Sequence, residues 1–324
     1  MTNDRIALSH GSGGRLMTEL ISDVFLKSFK NKVLNQLDDS AEIEINCKRI
    51  AFTTDTYTIK PVFFPGGDIG KLAVCGTIND LACKGARAIA LSVGIIVEDG
   101  FLISDLKKIV NSMANTAKNN GVGVVTGDTK VVNKGDVDGI FINTSGVGTI
   151  QKNMHISSVN ARVGDLIIIS GTIADHGVSI LNVRENLGLR PAIKSDVNSI
   201  SPLVEDCVSL GQYIHVMRDP TRGGLASVLN EISSQSKVGI KIYEKDIPIK
   251  KHVWNACGIL GLDPLYIANE GKLVLFVDKN KANNIYLVFY NRHYFIIIDA
   301  ITKIVRTIIN KIINNLQIYF NHFV

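Results

Sequence analysis

Apolar residues in the first half of the chain recur with two different periods. Leu16, Leu20 and Val24 follow a helical period and predict an amphipathic helix over residues 14–29. The same criterion predicts further helices at residues 68–86 and 101–120. Apolar runs rich in β-branched residues predict strands at residues 49–57, 88–98, 121–127 and 139–150. This half therefore mixes helices with strands.

A polar stretch at residues 151–165 interrupts the pattern and is the best candidate for a linker. Beyond it, the alternation restarts with a strand at 166–171 and helices at 175–186, where Asp175 is the expected N-cap, and at 222–235. We therefore predict an α+β chain of the α/β type with two domains. The predicted ranges are 1–155 for an N-terminal domain, 156–284 for an incomplete C-terminal domain and 285–324 for a divergent tail.

The predicted tail differs in composition from the rest of the chain. In residues 285–324, 26 of the 40 residues are Ile, Asn, Phe, Tyr or Lys, and there is no Gly or Pro. Such residues are favoured by AT-rich codons, which fits an altered or out-of-frame end. Ile301, Ile304 and Ile308 nevertheless begin a stripe at helical spacing. Both interpretations, an altered end and an amphipathic helix, remain open at this point.

Composition and charge narrow the class of protein. With 324 residues, 46% hydrophobic and 20% charged, the chain is not a disordered or fibrous protein. Its five cysteines form no CxxC pair, and the first residues lack a signal-peptide core, so we expect a reduced cytoplasmic protein. No apolar run predicts a membrane span. Residues 285–324 contribute +3 of the net charge of +5, so the remaining body gives no reason to expect nucleic-acid binding.

Five aspartates share one setting, at a strand end or turn beside small residues. They are Asp55, Asp68, Asp80, Asp128 and Asp219. Carboxylates that meet in one cleft repel each other unless a cation or a proton lies between them, and Mg²⁺ prefers such oxygen ligands together with substrate phosphates. The alternative is that each aspartate caps a turn or a helix.

Three further features could complete a phosphate-binding site. The glycine-rich segment HGSGGR at 10–15 leads into the first predicted helix, where backbone N–H groups favour anions, although a flexible loop explains it equally. Lys130 follows Asp128 by two residues, so both point to one face of a strand, where an ion pair is the simpler explanation. Glu270 precedes an apolar run and is either a general base or a solvated turn residue.

Five long motifs in this order resemble the HypE family of hydrogenase maturation factors. The motifs are FFPGGDIGKLAVCGTINDLACKGA, GVVTGDTKVV, SGTIADHGVSIL, HVMRDPTRGGLASVLNEI and GLDPLYIANEGKL. The resemblance covers residues 5–278 and places the chain beside the aminoimidazole ribonucleotide and selenophosphate synthetases. It implies two PurM-like domains in a homodimer, with ATP and Mg²⁺ bound at the junctions of domains and subunits.

The resemblance also implies a reaction and its partners. The carbamoyltransferase HypF places a carbamoyl group on a cysteine, and HypE dehydrates that group to a thiocyanate with ATP. The cyanide passes through the HypC–HypD complex to the iron of NiFe hydrogenase. Members of the family end in a cysteine, whereas the last cysteine here is Cys257. We therefore expect ATP binding to survive and the complete self-modification to be impaired.

The resemblance assigns roles to individual residues. Those implied to hold magnesium are Asp55, Asp80, Asp128 and Asp219. Those implied to contact the nucleotide are Gly11, Ser12, Gly13, Gly14, Asp68, Asn79 and Thr129. Lys130 and Glu270 match the pair that deprotonates the carbamoyl nitrogen. Two other functions remain open, a PurM-like kinase or synthetase acting on a small molecule, and a non-catalytic scaffold.

Overall fold

The computed structural model of the chain describes residues 5–11, 14–36, 45, 49–291, 297–298 and 301–302. Its α-helices are α1 (Gly14–Leu20), α2 (Lys27–Phe29), α3 (Ile69–Cys83), α4 (Ile103–Asn119), α5 (Asp175–Arg184), α6 (Ser201–Asp206), α7 (Gly224–Ser236), α8 (Lys251–Leu260) and α9 (Ala282–Asn291). Its strands are β1 (Ile50–Tyr57), β2 (Phe63–Phe64), β3 (Gly67–Asp68), β4 (Ala86–Glu98), β5 (Gly123–Val132), β6 (Ile140–Ile150), β7 (Leu166–Ile169), β8 (Ile214–Arg218), β9 (Gly239–Ile240), β10 (Val274–Val277), β11 (Ile297–Ile298) and β12 (Ile301–Thr302).

The first half of the chain builds a sheet in the order β1-β6-β4-β5, with α3 and α4 on one face. Alternation along β1 separates the two faces. Thr53 and Tyr57 point towards α3, whereas Phe52 points away and is 68% exposed. The face opposite the helices, which we call the open face, is therefore not covered by any described element.

Helix α3 is buried almost all round because it lies between the two halves of the chain. Asp68 caps it, and one carboxylate oxygen accepts hydrogen bonds from the N–H groups of Gly70 and Lys71 at 2.8 and 3.1 Å. The other carboxylate oxygen accepts from Ser112 Oγ at 2.6 Å. Gly70 is required here, because a Cβ would lie 2.5 Å from the carbonyl oxygen of Ile109 in α4. The cap and the glycine thus fix α3 against α4.

The second half builds an antiparallel sheet in the order β11-β7-β10-β8. One face, including Val216 and Phe276, packs on Leu225 and Ile232 of α7. The other face packs on α6 and α9, and also on the end of α3. That contact joins Ala82 and Cys83 to the apolar cluster of the second sheet. The two halves therefore share a continuous apolar interface.

Residues 195–198, which we call the clasp, tie the two halves together by hydrogen bonds. Ser195 N donates to Pro65 O at 2.8 Å. The side chain of Asn79 in α3 donates to Asn198 O at 3.0 Å and accepts from Ile200 N at 2.9 Å. Because Asn79 is 2% exposed, these bonds satisfy backbone groups that water does not reach.

The clasp also holds the segment that carries Glu270. Glu270 N donates to Asp196 Oδ1 at 3.2 Å, and Glu270 O accepts from Asn198 N at 3.4 Å. The ammonium of Lys272 lies 3.1 Å from Asp196 Oδ2, and both of these side chains are at most 10% exposed. The buried carboxylate of the clasp is therefore paired, and the backbone of Glu270 is fixed on both sides.

Several expectations from the sequence are met and others are corrected. The helix predicted at 14–29 is present as α1, a π-helical stretch Ile21–Leu26 and α2, and residues 151–165 contain no helix or strand. The strand predicted at 121–127 runs on to Val132. The predicted N-cap at Asp175 is wrong. Ala174 holds that position with φ of 71°, and the Asp175 carboxylate pairs with Lys250 at 2.9 Å.

The predicted tail is described only in part. Helix α9 crosses the boundary that we placed after residue 284, and Ile301 lies in a strand that pairs with β9 rather than in a helix. Most of the predicted stripe lies outside the described residues. The three predicted domain ranges therefore stay predictions. In the described part of the chain, no helix has the length and apolar character needed to cross a membrane.

Candidate functional site

A cavity of about 1060 Å³ lies where the two halves meet. It is lined by β1, α3, α5, the end of β8 with the segment after it, and the segment before β10. Its acidic lining residues are Asp55, Asp80, Asp219 and Glu270. Basic side chains on its wall are Lys84, Arg184, Arg218 and Arg222. The fold thus brings four of the predicted site residues into one cavity.

Each acidic side chain is held by a different element. Asp55 lies in β1, on the face that points towards α3. Asp80 lies near the end of α3, where Thr53 Oγ1 donates to its carboxylate at 2.9 Å. Asp219 follows the last residue of β8, and Glu270 stands on the segment held by the clasp. Residues far apart in the chain therefore converge because the two domains dock on each other.

Burial and mutual repulsion raise the pKa values of these acids. Burial raises the pKa of Asp80, with the Thr53 hydrogen bond opposing this shift and the Asp55 charge adding to it. Burial, and then the Asp80 charge, raise the pKa of Asp219 to about 6. The pKa of Glu270 is raised well above its ordinary value, first by burial and then by Asp219 and Asp196. Without a cation, protons therefore compete for this site.

Two other groups on the cavity wall bear on its chemistry. The hydroxyl of Tyr57 is buried and has no hydrogen-bond partner among the described residues, and its pKa is raised mainly by burial. The Cys83 thiol lies 3.9 Å from Asp219 Oδ1, and burial raises its pKa well above the ordinary value. Cys75 is also buried, with its pKa raised by burial to about 12. Both cysteines are buried, and their raised pKa values disfavour the nucleophilic thiolate form.

The glycine segment and the TGDTK motif lie elsewhere. Asp128 and Lys130 share the open face of the sheet, as the strand period predicted, and neither forms an ion pair with a described residue. β5 is three strand spacings from β1, about 14 Å across the sheet. Gly11 packs on Val131 of β5, where a Cβ would lie 2.8 Å from the valine Cβ. Within one chain, these residues and the cavity are two separate groups.

The remaining residues that we predicted to contact a nucleotide lie in different elements of the fold or outside the described residues. Ser12 and Gly13 lie outside the described residues, and Gly14 opens α1. Thr129 follows Asp128 in β5. The carboxylate of Asp68 caps α3, and the amide of Asn79 is hydrogen-bonded within the clasp region. Their roles towards a nucleotide stay predictions.

Sequence reasoning missed two features of the site. His176 lines the cavity, although no prediction from the sequence named it. Asp196 and Lys272 form the buried pair behind Glu270, and no local pattern in the sequence marks either residue. Only the fold of the second half, which brings these segments together, reveals both features.

The acidic residues fit a cation that arrives with phosphates. In the described part of the chain, no group of three or more His, Cys, Asp or Glu side chains is arranged to hold a metal ion by itself. Mg²⁺ is commonly held by one or two carboxylates together with phosphate oxygens and water. Half-buried carboxylates with raised pKa values provide the excess of negative charge that such an ion neutralises.

Comparison with known proteins identifies both halves of the chain. The family profile of the AIR synthase related protein, N-terminal domain, matches residues 37–150, and that of the C-terminal domain matches residues 162–288. The carbamoyl dehydratase HypE of Azotobacter vinelandii is 48% identical over 285 residues, which covers 88% of this chain and 84% of that protein.

Solved structures agree with this similarity. A structure of the hydrogenase maturation protein HypE in complex with ATP superposes with a TM-score of 0.89 at 44% identity, covering 93% of this chain and 90% of that one. A HypE–HypF complex gives a TM-score of 0.77 at 48% identity, covering 88% and 93%. The predicted fold of two PurM-like domains is thereby confirmed.

Replacement of Asp219 by Asn tests the electrostatics of the cavity without ligands. The folded pKa of about 6 exceeds the unfolded value of 3.8, so the folded state holds the extra proton between these values. The free energy of unfolding therefore falls by about 3 kcal/mol in total as the pH rises from about 3 to about 7. Asp219→Asn removes this loss, and urea unfolding will show a stabilised variant at pH 7 but not at pH 4.

The matched control is Asp138→Asn, because Asp138 is an exposed residue paired with Lys60. Its effect on unfolding should be small and nearly independent of pH. An Asp219→Asn effect of equal size at pH 4 and pH 7 would contradict the assigned repulsion.

Proposed function

Because this chain belongs to the HypE family of carbamoyl dehydratases, which is built from two AIR synthase related domains, we propose that it uses ATP to dehydrate a cysteine-bound carbamoyl group during NiFe hydrogenase maturation. The reaction converts R–S–CO–NH₂ and ATP into R–S–C≡N, ADP, phosphate and a proton. The carbamoyl oxygen leaves in the phosphate, and both nitrogen protons are lost. The thiocyanate then supplies the cyanide ligands of iron.

The observation that carries this proposal is the meeting of four carboxylates in one cavity at the domain junction. A phosphate donor and a proton acceptor are both needed for this dehydration. Asp55, Asp80 and Asp219 form an acidic wall suited to Mg²⁺ and the ATP phosphates, and Glu270 lies in the same cavity. The HypE structure with ATP, at 44% identity, supports ATP as the ligand.

When bound, Mg²⁺ supplies positive charge to the phosphate oxygens and offsets the charges of Asp55, Asp80 and Asp219. Burial, and then its acidic neighbours, raise the pKa of Glu270 well above its ordinary value, which favours the protonated form. A positive charge beside those neighbours favours the ionised form of Glu270. Glu270 then accepts a proton from the carbamoyl nitrogen, so the base is available only when the cavity is loaded.

A homodimer explains why Asp128 and Lys130 lie outside the cavity of their own chain. The open face exposes Ile50, Phe52 and Ile96, at 54%, 68% and 40%, and it also carries Asp128 and Lys130. Exposed apolar residues grouped on one sheet face favour a protein interface. We propose that a second copy packs on this face and that Asp128 and Lys130 complete the partner's cavity, where Lys130 assists in deprotonation.

The substrate thiol and the partners follow from the same assignment. The described cysteines, Cys75, Cys83, Cys207 and Cys257, are all buried, and Cys47 lies outside the described residues. We therefore propose that the carbamoylated thiol reaches the cavity from outside the described part of the chain. HypF is the proposed carbamoyl donor, supported by the HypE–HypF complex of a 48% identical relative. We further propose the HypC–HypD complex as cyanide acceptor and the cytoplasm as location.

The burial of the described thiols also favours a second candidate function. A PurM-like kinase or synthetase that acts on a diffusible small molecule needs no cysteine of its own. Turnover of a carbamoylated peptide separates the two functions, because only the dehydratase converts it.

Replacement of Asp80 by Asn tests the metal-dependent binding of ATP. The substitution keeps an oxygen for the Thr53 hydrogen bond but removes the charge. A hundredfold excess of Mg²⁺–ATP over its Kd stabilises the normal chain by about 2.7 kcal/mol. We expect Asp80→Asn to lose this stabilisation, whereas its melting temperature without ligand should not fall and should rise at pH 7, because a charge that repels Asp219 is removed.

The exposed Asp138→Asn variant serves as the matched control and should keep the full shift. Binding of ATP by Asp80→Asn with undiminished strength in the presence of Mg²⁺ would argue against Asp80 as a magnesium ligand.

The activity itself is tested with a peptide that ends in S-carbamoyl cysteine. Incubation with Mg²⁺–ATP should convert the peptide to the thiocyanate, detected by mass spectrometry as loss of one water, with release of one phosphate per peptide. Glu270→Gln should lower this rate at least about 10²-fold while it keeps the stabilisation by Mg²⁺–ATP. ATP hydrolysis without peptide conversion would support the small-molecule function instead.

Introduction of charge on the open face tests the dimer. Phe52→Lys places an ammonium at the 68% exposed aromatic position, so sedimentation should show a monomer. The control is Ile259→Lys, which changes an 80% exposed residue of α8 in the other domain and should leave the dimer intact. A Phe52→Lys dimer of unchanged stability would rule out this face as the interface.

A further inference from the structure

His176 is a titratable side chain of the cavity for which neither the sequence motifs nor the proposed reaction provides a role. It lies in the first turn of α5 and is 6% exposed. Its Nδ1 atom lies 2.8 Å from Ser195 Oγ, and its ring packs edge to face on Phe64 with 5.8 Å between the centroids. The imidazole is therefore held in a fixed orientation on the cavity wall.

Ser195 Oγ accepts a hydrogen bond from Val197 N at 3.1 Å. A hydroxyl can also donate one hydrogen bond, and we assign the Ser195 hydrogen to Nδ1 of His176. A neutral imidazole whose Nδ1 accepts carries its proton on Nε2. Burial supports the neutral form, because it lowers the pKa of His176 to about 4 against a weaker opposing effect of Asp196.

The Nε2–H group is a donor with no partner among the described residues. The Nδ1 side of the ring is committed to Ser195, and Phe64 covers another part of the ring. The cavity that His176 lines is the space left for the Nε2 side. A donor without a protein partner forms its hydrogen bond with a ligand or with a water molecule in the cavity.

His176 also adjoins the segment that carries Glu270. Gly177 N donates to Ala268 O at 3.1 Å, so the start of α5 lies directly on the residues before Glu270. The clasp reinforces this arrangement, because Ser195 contacts His176 and Asp196 holds Glu270 N. The free donor of His176 and the carboxyl of Glu270 therefore line the same cavity from adjoining segments.

We propose that His176 is a substrate-binding residue whose Nε2–H donates a hydrogen bond to the carbonyl oxygen of a carboxamide bound beside Glu270. This inference rests on the proposed function, since the carboxamide is the carbamoyl group of the substrate. A neutral donor matches a neutral amide oxygen. A phosphate would draw a second proton onto the ring, against the burial that keeps the ring neutral. Mg²⁺–ATP therefore belongs with Asp55, Asp80 and Asp219.

Two conservative substitutions separate the donor role from a structural one. In His176→Gln, the side-chain amide nitrogen reaches the place of Nε2 and keeps a donor towards the cavity. In His176→Asn, the side chain reaches only the place of Nδ1, so it keeps the bond to Ser195 and loses the cavity donor. If His176 has only a structural role, the Asn variant should keep more of the peptide binding than the Gln variant. If His176 donates to the substrate, the Gln variant should keep more.

The measurement is binding of the S-carbamoyl cysteine peptide by calorimetry, with Mg²⁺ and a non-hydrolysable ATP analogue present. We expect His176→Asn to weaken peptide binding about tenfold, the loss of one hydrogen bond, and His176→Gln to restore most of it. Binding of the ATP analogue should be unchanged in both variants. Ser195→Ala, which releases the ring from its fixed tautomer, should weaken peptide binding by a smaller factor.

The outcomes separate this inference from the proposed function. Peptide binding that depends on His176 without any turnover by the unsubstituted chain would sustain the donor role and refute the dehydratase. Turnover with equal peptide binding by His176→Asn and the unsubstituted chain would refute the donor role alone. The inference would also be overturned by tighter peptide binding to His176→Asn than to His176→Gln. A parallel loss of ATP binding in these variants, or no peptide binding by the unsubstituted chain, would have the same consequence.

Discussion

Repulsion among half-buried carboxylates is the constraint on which the rest of this structure depends. Burial raises the pKa values of Asp80, Asp219 and Glu270, and neighbouring carboxylates raise them further, because the docked domains hold these side chains in one poorly solvated cavity. A cation in this cavity therefore offsets an electrostatic cost. A polyphosphate alone would add to this cost, whereas a polyphosphate that arrives with its divalent cation relieves it. In the proposed function, this cost favours the metal–nucleotide pair over the free nucleotide.

The same cavity needs a rigid frame, because the carboxylates would otherwise move apart. The clasp provides it through buried bonds to α3 on one side and to the Glu270 segment on the other. The Asp196–Lys272 pair within it adds little net stability, since both charges lose their hydration. Its value lies in geometry, because the ion pair and the backbone bonds allow one position for the chain on either side of Glu270.

The sequence was informative wherever the cause of a structure is local. Periodicity predicted α3, α4 and β4 to within a few residues, and the Asp-rich turns predicted an acidic cavity from Asp55, Asp80 and Asp219. Long-range contacts were not predictable in this way. Asp68 caps a helix, as the alternative for the aspartates predicted, and Asn79 bonds the backbone of residues 198 and 200, while their roles towards a nucleotide stay predictions. The N-cap predicted at Asp175 was wrong, because Ala174 is the N-cap residue in a left-handed conformation and the Asp175 carboxylate forms an ion pair with Lys250. His176 meets Ser195 only through the fold of the second half of the chain, so its proposed role was not predictable from the sequence.

The bonds of Asn79 across the domain junction also bear on the modularity of this architecture. Each half has its own sheet, yet the amide in α3 completes the backbone of residues 198–200, and the apolar end of α3 completes the core of the second sheet. Separated from its neighbour, either half would expose groups that only the other half satisfies. The two halves therefore do not behave as portable units. A chimaera that exchanges one of them between relatives must carry both sides of this junction together.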